Sequence, residues 1–396
     1  MPTGEADEDQ TMDLRPEDLV VTSTQRRLSH PDLKTVDLVK IAPATHVLPT
    51  RLQGQAGPWV TRLRAAEARL LATDYLLRSR SRTPSGSHLL FTGESALIVL
   101  GVEPWWNNPD VSVGTTSRSG SPLTFAAIQV GDSRVPPVRF RQVRHRHLQE
   151  RTMSHSRMAD TLLTMGMEGA PFTRPQSGSL RIAPPHLIVY DLCRILHPLQ
   201  AFHDVSLLLR YLSRWDSRDL DGSRMRAAEV RSQLLVNLEL LGTPPGTRKA
   251  RVILTHADPG LESPAETIAL WTALSILRNR SLVTTQVPVR TGASVIRIDL
   301  GVPSVKLALE LSGRGKFGTT SSTGAQVADR FLVRQQMLES SGWNVRNFTY
   351  GQTKHLASFL HILNDIFSEH RIATRPPNPD LWAPPTTDLL HHSRRF

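Results

Sequence analysis

The chain has 396 residues, 39% of them hydrophobic, which is enough for packed cores in two or three domains, and its one cysteine, Cys193, excludes an intrachain disulfide or a Cys-based zinc site. No apolar stretch approaches the ~18 residues that a membrane helix needs, and the opening MPTGEADEDQ lacks the basic and apolar regions of a signal peptide, so no membrane partner and a cytoplasmic protein are expected. The net charge is +11, yet residues 1–18 hold seven acids against Arg15 alone, a balance of −6 that leaves +17 on the remainder. Such an excess points to a polyanionic partner, most simply DNA; arginines on solvated faces are the alternative.

Residues 1–29 are acidic and aperiodic at their start and read as a disordered tail. Residues 30–60 carry short apolar pieces broken by prolines, consistent with a small hairpin and without a complete helix-turn-helix. In residues 57–80, Val60, Leu63, Ala66, Leu70, Leu71 and Tyr75 recur at helical spacing and predict one amphipathic helix. Thr92 to Leu97 open a second, short helix that ends before Glu103-Pro104. Short strands follow at 111–113, 125–130 and 138–143. Between 134 and 157 stand seven arginines against Glu150, the densest basic patch in the chain. Arg139, Arg141, Arg144 and Arg146 are its candidate phosphate contacts, a solvated loop being the other reading.

Residues 186–242 read as helices, ending where Gly242-Thr243-Pro244-Pro245-Gly246 stops the last one. Ser263 as N-cap, Pro264 at the first helical position and Glu266 three residues after the cap predict a helix start with a capping box. A capping-box Glu needs no catalytic role. A strand around 285–289 precedes two β-rich runs, 295–300 and 305–311, joined by Gly301-Val302-Pro303-Ser304. If the turn centres on Pro303-Ser304, Asp299 pairs with Ala308 and Glu310 is its diagonal neighbour; if on Ser304-Val305, Asp299 faces Glu310 directly. In both registers the two carboxylates share a face, and only a one-residue bulge would separate them. Paired carboxylates suit Mg²⁺ or Mn²⁺, hard cations that take oxygen ligands. The loop 312–316 adds Arg314 and Lys316, cations for a phosphate's developing charge. Residues 326–340 predict an amphipathic helix with Arg330 and Arg334 on one face, ended at Ser341-Gly342 and followed by a strand from Trp343 to Phe348. Residues 373–396, with five prolines, read as a disordered tail.

The order helix, three strands, helix, strand, with Glu266 on the first helix, Asp299 on the second strand and Glu310 on the third, resembles the PD-(D/E)XK nuclease core. More narrowly it resembles the very-short-patch-repair-like domains at the C-terminus of actinobacterial AbiEi-type antitoxin-like proteins. The likeness rests on Glu262-Ser263-Pro264-Ala265-Glu266, Asp299, Glu310 to Lys316, Arg334 and Gly342-Trp343-Asn344-Val345-Arg346. Glu94-Ser95-Ala96, and Asp191 to Arg194 with Asp204, resemble segments of the same proteins more weakly. The chain departs from the pattern at Ser312, where those proteins carry an acid and the wider class its lysine. Lys316, four residues on, is the replacement.

The resemblance implies an α/β chain in four parts: the acidic tail at 1–29, a mixed AbiEi-like region at 30–250 with a winged-helix remnant at 30–60, a restriction-endonuclease-like α/β/α domain at 251–372, and the tail at 373–396. It further implies a DNA endonuclease using Mg²⁺ or Mn²⁺, in phage defence or repair, with Glu266, Asp299, Glu310 and Lys316 as catalytic set, the three acids as metal ligands, and Arg314, Arg330 and Arg334 on DNA. The alternative it leaves is a catalytically weak nuclease fold in DNA binding or toxin–antitoxin regulation. No adenylate, nicotinamide or phosphate-loop motif calls for an organic cofactor, and nothing in the sequence identifies a protein partner or an oligomeric state.

Overall fold

A computed structural model describes residues 14–21, 38–53, 58–80, 90–115, 123–144, 180, 182–291, 294–312 and 324–383. The chain divides into two compact units, residues 1–192 with 236–244, and residues 193–235 with 245–396. Helices alternate with mixed and antiparallel sheets, and the class is α/β.

The first unit opens with β1 (Val20–Val21), β2 (Val39–Ala42) and β3 (Thr45–Val47), which form a sheet in the order β1-β3-β2. Part of the expected N-terminal tail is therefore ordered. Val20 pairs with His46, Leu14 is buried, and the Leu14 N–H donates to Glu67 Oε2 at 3.1 Å. The hairpin expected within 30–60 is β2–β3, and a single helical turn, α1 (Pro49–Leu52), follows it; residues 22–37 lie outside the described residues.

The predicted amphipathic helix is α2 (Pro58–Arg80). It is buried on more than one stripe: Ala65, Ala68, Leu70 and Ala72 are inside, and so are Glu67, Arg69 and Asp74. Tyr75, expected inward, is exposed, and Leu76 takes the interior position. The short helix α3 (Gly93–Val99) is wholly buried. Strands β4 (Leu90–Phe91), β5 (Val111–Thr115), β6 (Thr124–Phe125) and β9 (Val138–Arg144) make a sheet in the order β4-β5-β9-β6. The run 125–130, expected as one strand, is two. After β6 the chain leaves that sheet, and β7 (Ile128–Val130) pairs, among the described residues, with β8 (Ser133–Val135). The buried Arg69 marks the break, donating to the carbonyls of Ala126 at 3.3 Å and Pro136 at 3.0 Å. Helix α4 (Pro185–Ile195) follows, and Thr92 Oγ1 donates to its Asp191 at 2.5 Å.

The second unit begins earlier than the boundary expected at 251. Helix α5 (Pro198–Leu212) packs on α7 (Thr247–His256) and on α8 (Pro264–Ile276), with α6 (Leu220–Glu239) between α5 and α7 in the chain. Polar contacts bind α5 to residues 258–267: His203 Nδ1 lies 2.9 Å from Thr267 Oγ1, and Arg210 donates to the carbonyls of Pro259 and Leu261. Helix α7 is an element that the Gly-Pro-rich stop at 242–246 hid. Gly246, at φ 97°, is its N-cap, so the same punctuation that ends one helix starts the next.

Strands β10 (Thr284–Thr291), β11 (Ser294–Val302), β12 (Leu307–Ser312) and β13 (Asn344–Thr349) form one sheet in chain order, antiparallel except that β13 runs parallel to β12. A parallel neighbour requires a crossover, and α9 (Gly324–Ser340) supplies it. Val287, Val289, Ile296, Ile298 and Ala308 cluster with Leu338 of α9, and Met337, Trp343 and Val345 pack against them. Helix α8 is buried from Ala265 to Ile276, which fits its apolar sequence. Helices α10 (Tyr350–Lys354) and α11 (Leu356–Glu369) close the unit, both packing on α8.

The expected C-terminal tail is ordered over 373–383. Thr374 bridges to Leu277, Leu381 is fully buried, and Trp382 stacks on Trp271 with ring centroids 4.7 Å apart. The prolines here stiffen a strap; they do not free it. Residues 384–396 lie outside the described residues.

Candidate functional site

The site is built on the β11–β12 hairpin. Its register pairs Leu300 with Leu309, Gly301 with Ala308 and Val302 with Leu307. The turn thus centres on Ser304-Val305, the second of the two registers considered, with Lys306 at φ 50° closing it. Continued one step, that register sets Asp299 opposite Glu310. Both side chains are buried, at 5% exposure each. The carboxylates interrupt the ladder, each taking a main-chain donor of the other strand. Asp299 N–H donates to Glu310 Oε1 at 3.3 Å, and Leu311 N–H donates to Asp299 Oδ2 at 2.9 Å.

Arg334, on α9, reaches this pair. Its Nε donates to Glu310 Oε2 at 2.8 Å, and its Nη2 donates to the carbonyl of Arg297. Burial pushes the Glu310 carboxyl above its ordinary pKa, the Asp299 carboxylate pushes it further, and Arg334 only partly offsets both. Burial works against the Arg334 charge, but the two acids outweigh it and hold the guanidinium above its usual pKa.

Glu266 is bonded to the start of its own helix. Ser263 Oγ caps the Glu266 N–H at 3.2 Å, and the Glu266 carboxylate accepts from Ser263 Oγ at 3.0 Å and from Glu262 N–H at 2.9 Å. Ser263 is the N-cap, but the Glu266 carboxylate takes the N–H of Glu262, one residue ahead of the N–H that the expected capping box uses. Among the described residues no group of three or more His, Cys, Asp and Glu side chains is gathered for a metal ion. Two carboxylates do suit Mg²⁺, which keeps several waters and binds through one or two carboxylates plus substrate phosphates. Asp299 and Glu310 therefore fit such a cation as donors, with Arg334 competing for Glu310. Arg314 and Lys316 lie outside the described residues, and of Arg330 only the helical backbone is described.

One residue at the site carries no signal in the sequence. Thr285 pairs with Leu300 and Val287 with Ile298, so Gln286 falls across β10–β11 from Asp299. It is buried and held at φ 49° in mid-strand. Arg224 donates to the carbonyls of Thr285 at 3.0 Å and Gln286 at 3.5 Å. A non-glycine residue in this region costs ~1–3 kcal/mol and persists only where its surroundings impose it.

In the first unit, β9 turns Val138 and Val143 inward and Arg139 and Arg141 outward. Asp110 accepts from the Arg139 main-chain N–H at 2.8 Å and pairs with the Arg141 side chain, accepting from its Nε at 2.7 Å. Arg144 ends β9 with only its backbone described, and Arg146 lies outside the described residues. Ser95 is structural: its Oγ accepts from Ser112 N–H at 2.9 Å. Among the described residues no helix is long and apolar enough to cross a membrane. No family model, curated protein or solved structure matches the chain.

Proposed function

We propose that the second unit acts on DNA as a PD-(D/E)XK-like endonuclease dependent on Mg²⁺ or Mn²⁺, with Asp299 and Glu310 as its metal-holding acids. The observation that carries this reading is the facing of these two buried carboxylates on adjacent antiparallel strands, with Glu310 held above its ordinary pKa. Perturbed carboxylates of this kind concentrate where chemistry is done. The element order α8-β10-β11-β12-α9-β13 supports it too, since the resemblance drawn from the residues has that order.

When bound, the cation would activate a water and steady the charge on the scissile phosphate. Asp299 and Glu310 supply the oxygens, and the Leu311 N–H orients Asp299. Arg334 keeps Glu310 directed. Arg314 and Lys316, next along the chain, are the cations assigned to the phosphate.

The contact of Arg334 with Glu310 favours a second reading, in which the guanidinium stands in for the metal's charge and the fold binds DNA without cutting it. Plasmid and oligonucleotide cleavage with Mg²⁺ or Mn²⁺ separates the two. Cutting by the wild type, abolished by both Asp299→Ala and Glu310→Ala, is the outcome expected for the nuclease. Salt-sensitive DNA binding by all three proteins without any cutting refutes it in favour of the second reading.

A further inference from the structure

The C-terminal end of α8 gathers positive charge that the carboxylate site does not use. Here the chain after α8 runs beside the strap formed by residues 373–375. Arg278 N–H donates to the Ala373 carbonyl at 3.2 Å, Arg375 N–H donates to the Ile276 carbonyl at 2.8 Å, and Leu277 bridges to Thr374. This pairing brings Arg278, Arg280 and Arg375 together from two separate segments. Arg278 and Arg375 are exposed, and Arg280 is half-buried.

Some of this charge has a structural use. Arg280 Nε donates to the Leu274 carbonyl at 2.8 Å, and Arg231 Nη2 donates to the Ala257 carbonyl at 2.7 Å; both bonds satisfy helix C-termini. The remainder is in excess. Arg280 Nη1 lies 3.0 Å from His256 Nε2, a contact between two basic groups that needs the imidazole neutral. Arg280 Nη2 is buried and has no hydrogen-bond partner among the described residues. Two acids offset part of it: Asp380, which pairs with Arg248 at 2.9 Å, also acts on Arg280, and Asp258, whose Oδ1 accepts from Thr285 Oγ1 and Gly260 N–H, acts on Arg231. Burial lowers His256 to about 4, helped by Arg280, Arg231 and Arg375, so several cations act on one spot.

We propose that this ridge, carried by Arg278, Arg280 and Arg375, docks the phosphate backbone of duplex DNA. The inference rests on the reading that the chain works on DNA, and it adds a contact surface at the far end of α8, about 15 Å along the helix from Glu266. Exposed arginines on two paired segments suit a backbone that runs across a surface; a small phosphate ester would call for an enclosing pocket. Arginine is suited to this use because its planar fork matches phosphate oxygens.

The test is anisotropy of a labelled DNA duplex titrated with the full chain over a salt series. The proteins compared are wild type, Arg278→Gln/Arg375→Gln, the triple variant adding Arg280→Gln, and Arg218→Gln, at an exposed position away from the carboxylate hairpin, as a control for lost charge. The double variant leaves the Arg280 cap intact and keeps the test sound if the triple variant is unfolded. Each phosphate contact contributes about 0.9 to the slope of log K against log salt, so the double variant is expected to flatten the slope by about 2 and to weaken binding about tenfold or more, with the control unchanged. An unchanged slope and affinity in a folded double variant overturns the ridge, as does a wild type that binds no duplex. Cleavage of the same DNA in Mg²⁺ is scored separately: cutting with an unchanged slope rejects only the ridge, and a flattened slope without cutting rejects only the nuclease.

Discussion

Asp299 donates its main-chain N–H to the carboxylate of Glu310 at 3.3 Å, so the two acids that repel each other are also tied through the backbone of the hairpin that carries them. The arrangement holds only while something limits the repulsion. Proton, guanidinium and metal are the three ways of doing so, and each gives a measurable consequence.

Glu310 has a raised pKa in the folded state, so its protonated form favours folding. Its contribution is complete below the ordinary value of 4.5 and is lost as pH rises through the raised folded value. Urea denaturation of wild type and Glu310→Gln over pH 4 to 8 should therefore give a stability difference that grows in favour of the variant as pH rises. The slope is at most about 1.4 kcal/mol per pH unit. A difference that stays flat with pH contradicts the assignment.

Arg334→Met removes the cation. Arg334 is 37% exposed on its side chain, so the loss should be about 2 kcal/mol, below the 3–5 of fully buried pairs. If Asp299 and Glu310 hold a divalent cation, Mg²⁺ should raise the melting temperature of this variant more than that of wild type, because the competing guanidinium is gone. Equal shifts in the two proteins count against the metal.

His203 is buried beside Thr267, and burial pushes it down to about 3. A depressed pKa stabilises above the ordinary value of 6.5 and is lost as pH falls toward the folded value. The second unit should thus lose about 1.4 kcal/mol per pH unit on its acid limb from this group alone. His203→Gln should flatten that limb, read by denaturant midpoints at pH 4 to 6.5.

The strap at 373–383 makes a stability claim of its own. Leu381 is fully buried and Trp382 stacks on Trp271. Leu381→Ala should cost about 3 kcal/mol, and Trp382→Ala the stacking energy of about 1 kcal/mol plus lost area. Melting of the two variants at neutral pH decides it, and wild-type stability in both means the strap is peripheral.

Local rules made much of this fold legible. Ser263, Pro264 and Glu266 spelled a helix start, and the alternation around Asp299 and Glu310 put both acids on one face whichever turn was chosen. What escaped depends on distant partners. Leu14 and Leu381 sit in polar or proline-rich surroundings, and only the cores that receive them explain their order. Gln286 has a left-handed backbone beside carbonyls that Arg224, far away in the chain, donates to, and nothing in its neighbours marks it. The helix start at Ser263 was visible in advance, while the reach of the Glu266 carboxylate back to the Glu262 N–H was not.

The crossover between β12 and β13 sets an order of events. A hairpin closes over a short loop, whereas α9 must be threaded back before Arg334 meets Glu310. The two acids are thus expected to come face to face before their cation arrives, an interval of unrelieved repulsion on the refolding path. Stopped-flow refolding should be faster in mild acid for wild type, and with Mg²⁺ too if the pair holds a divalent cation; this acceleration should vanish in Glu310→Gln, so the electrostatics of the folded hairpin would leave their trace in the kinetics of making it.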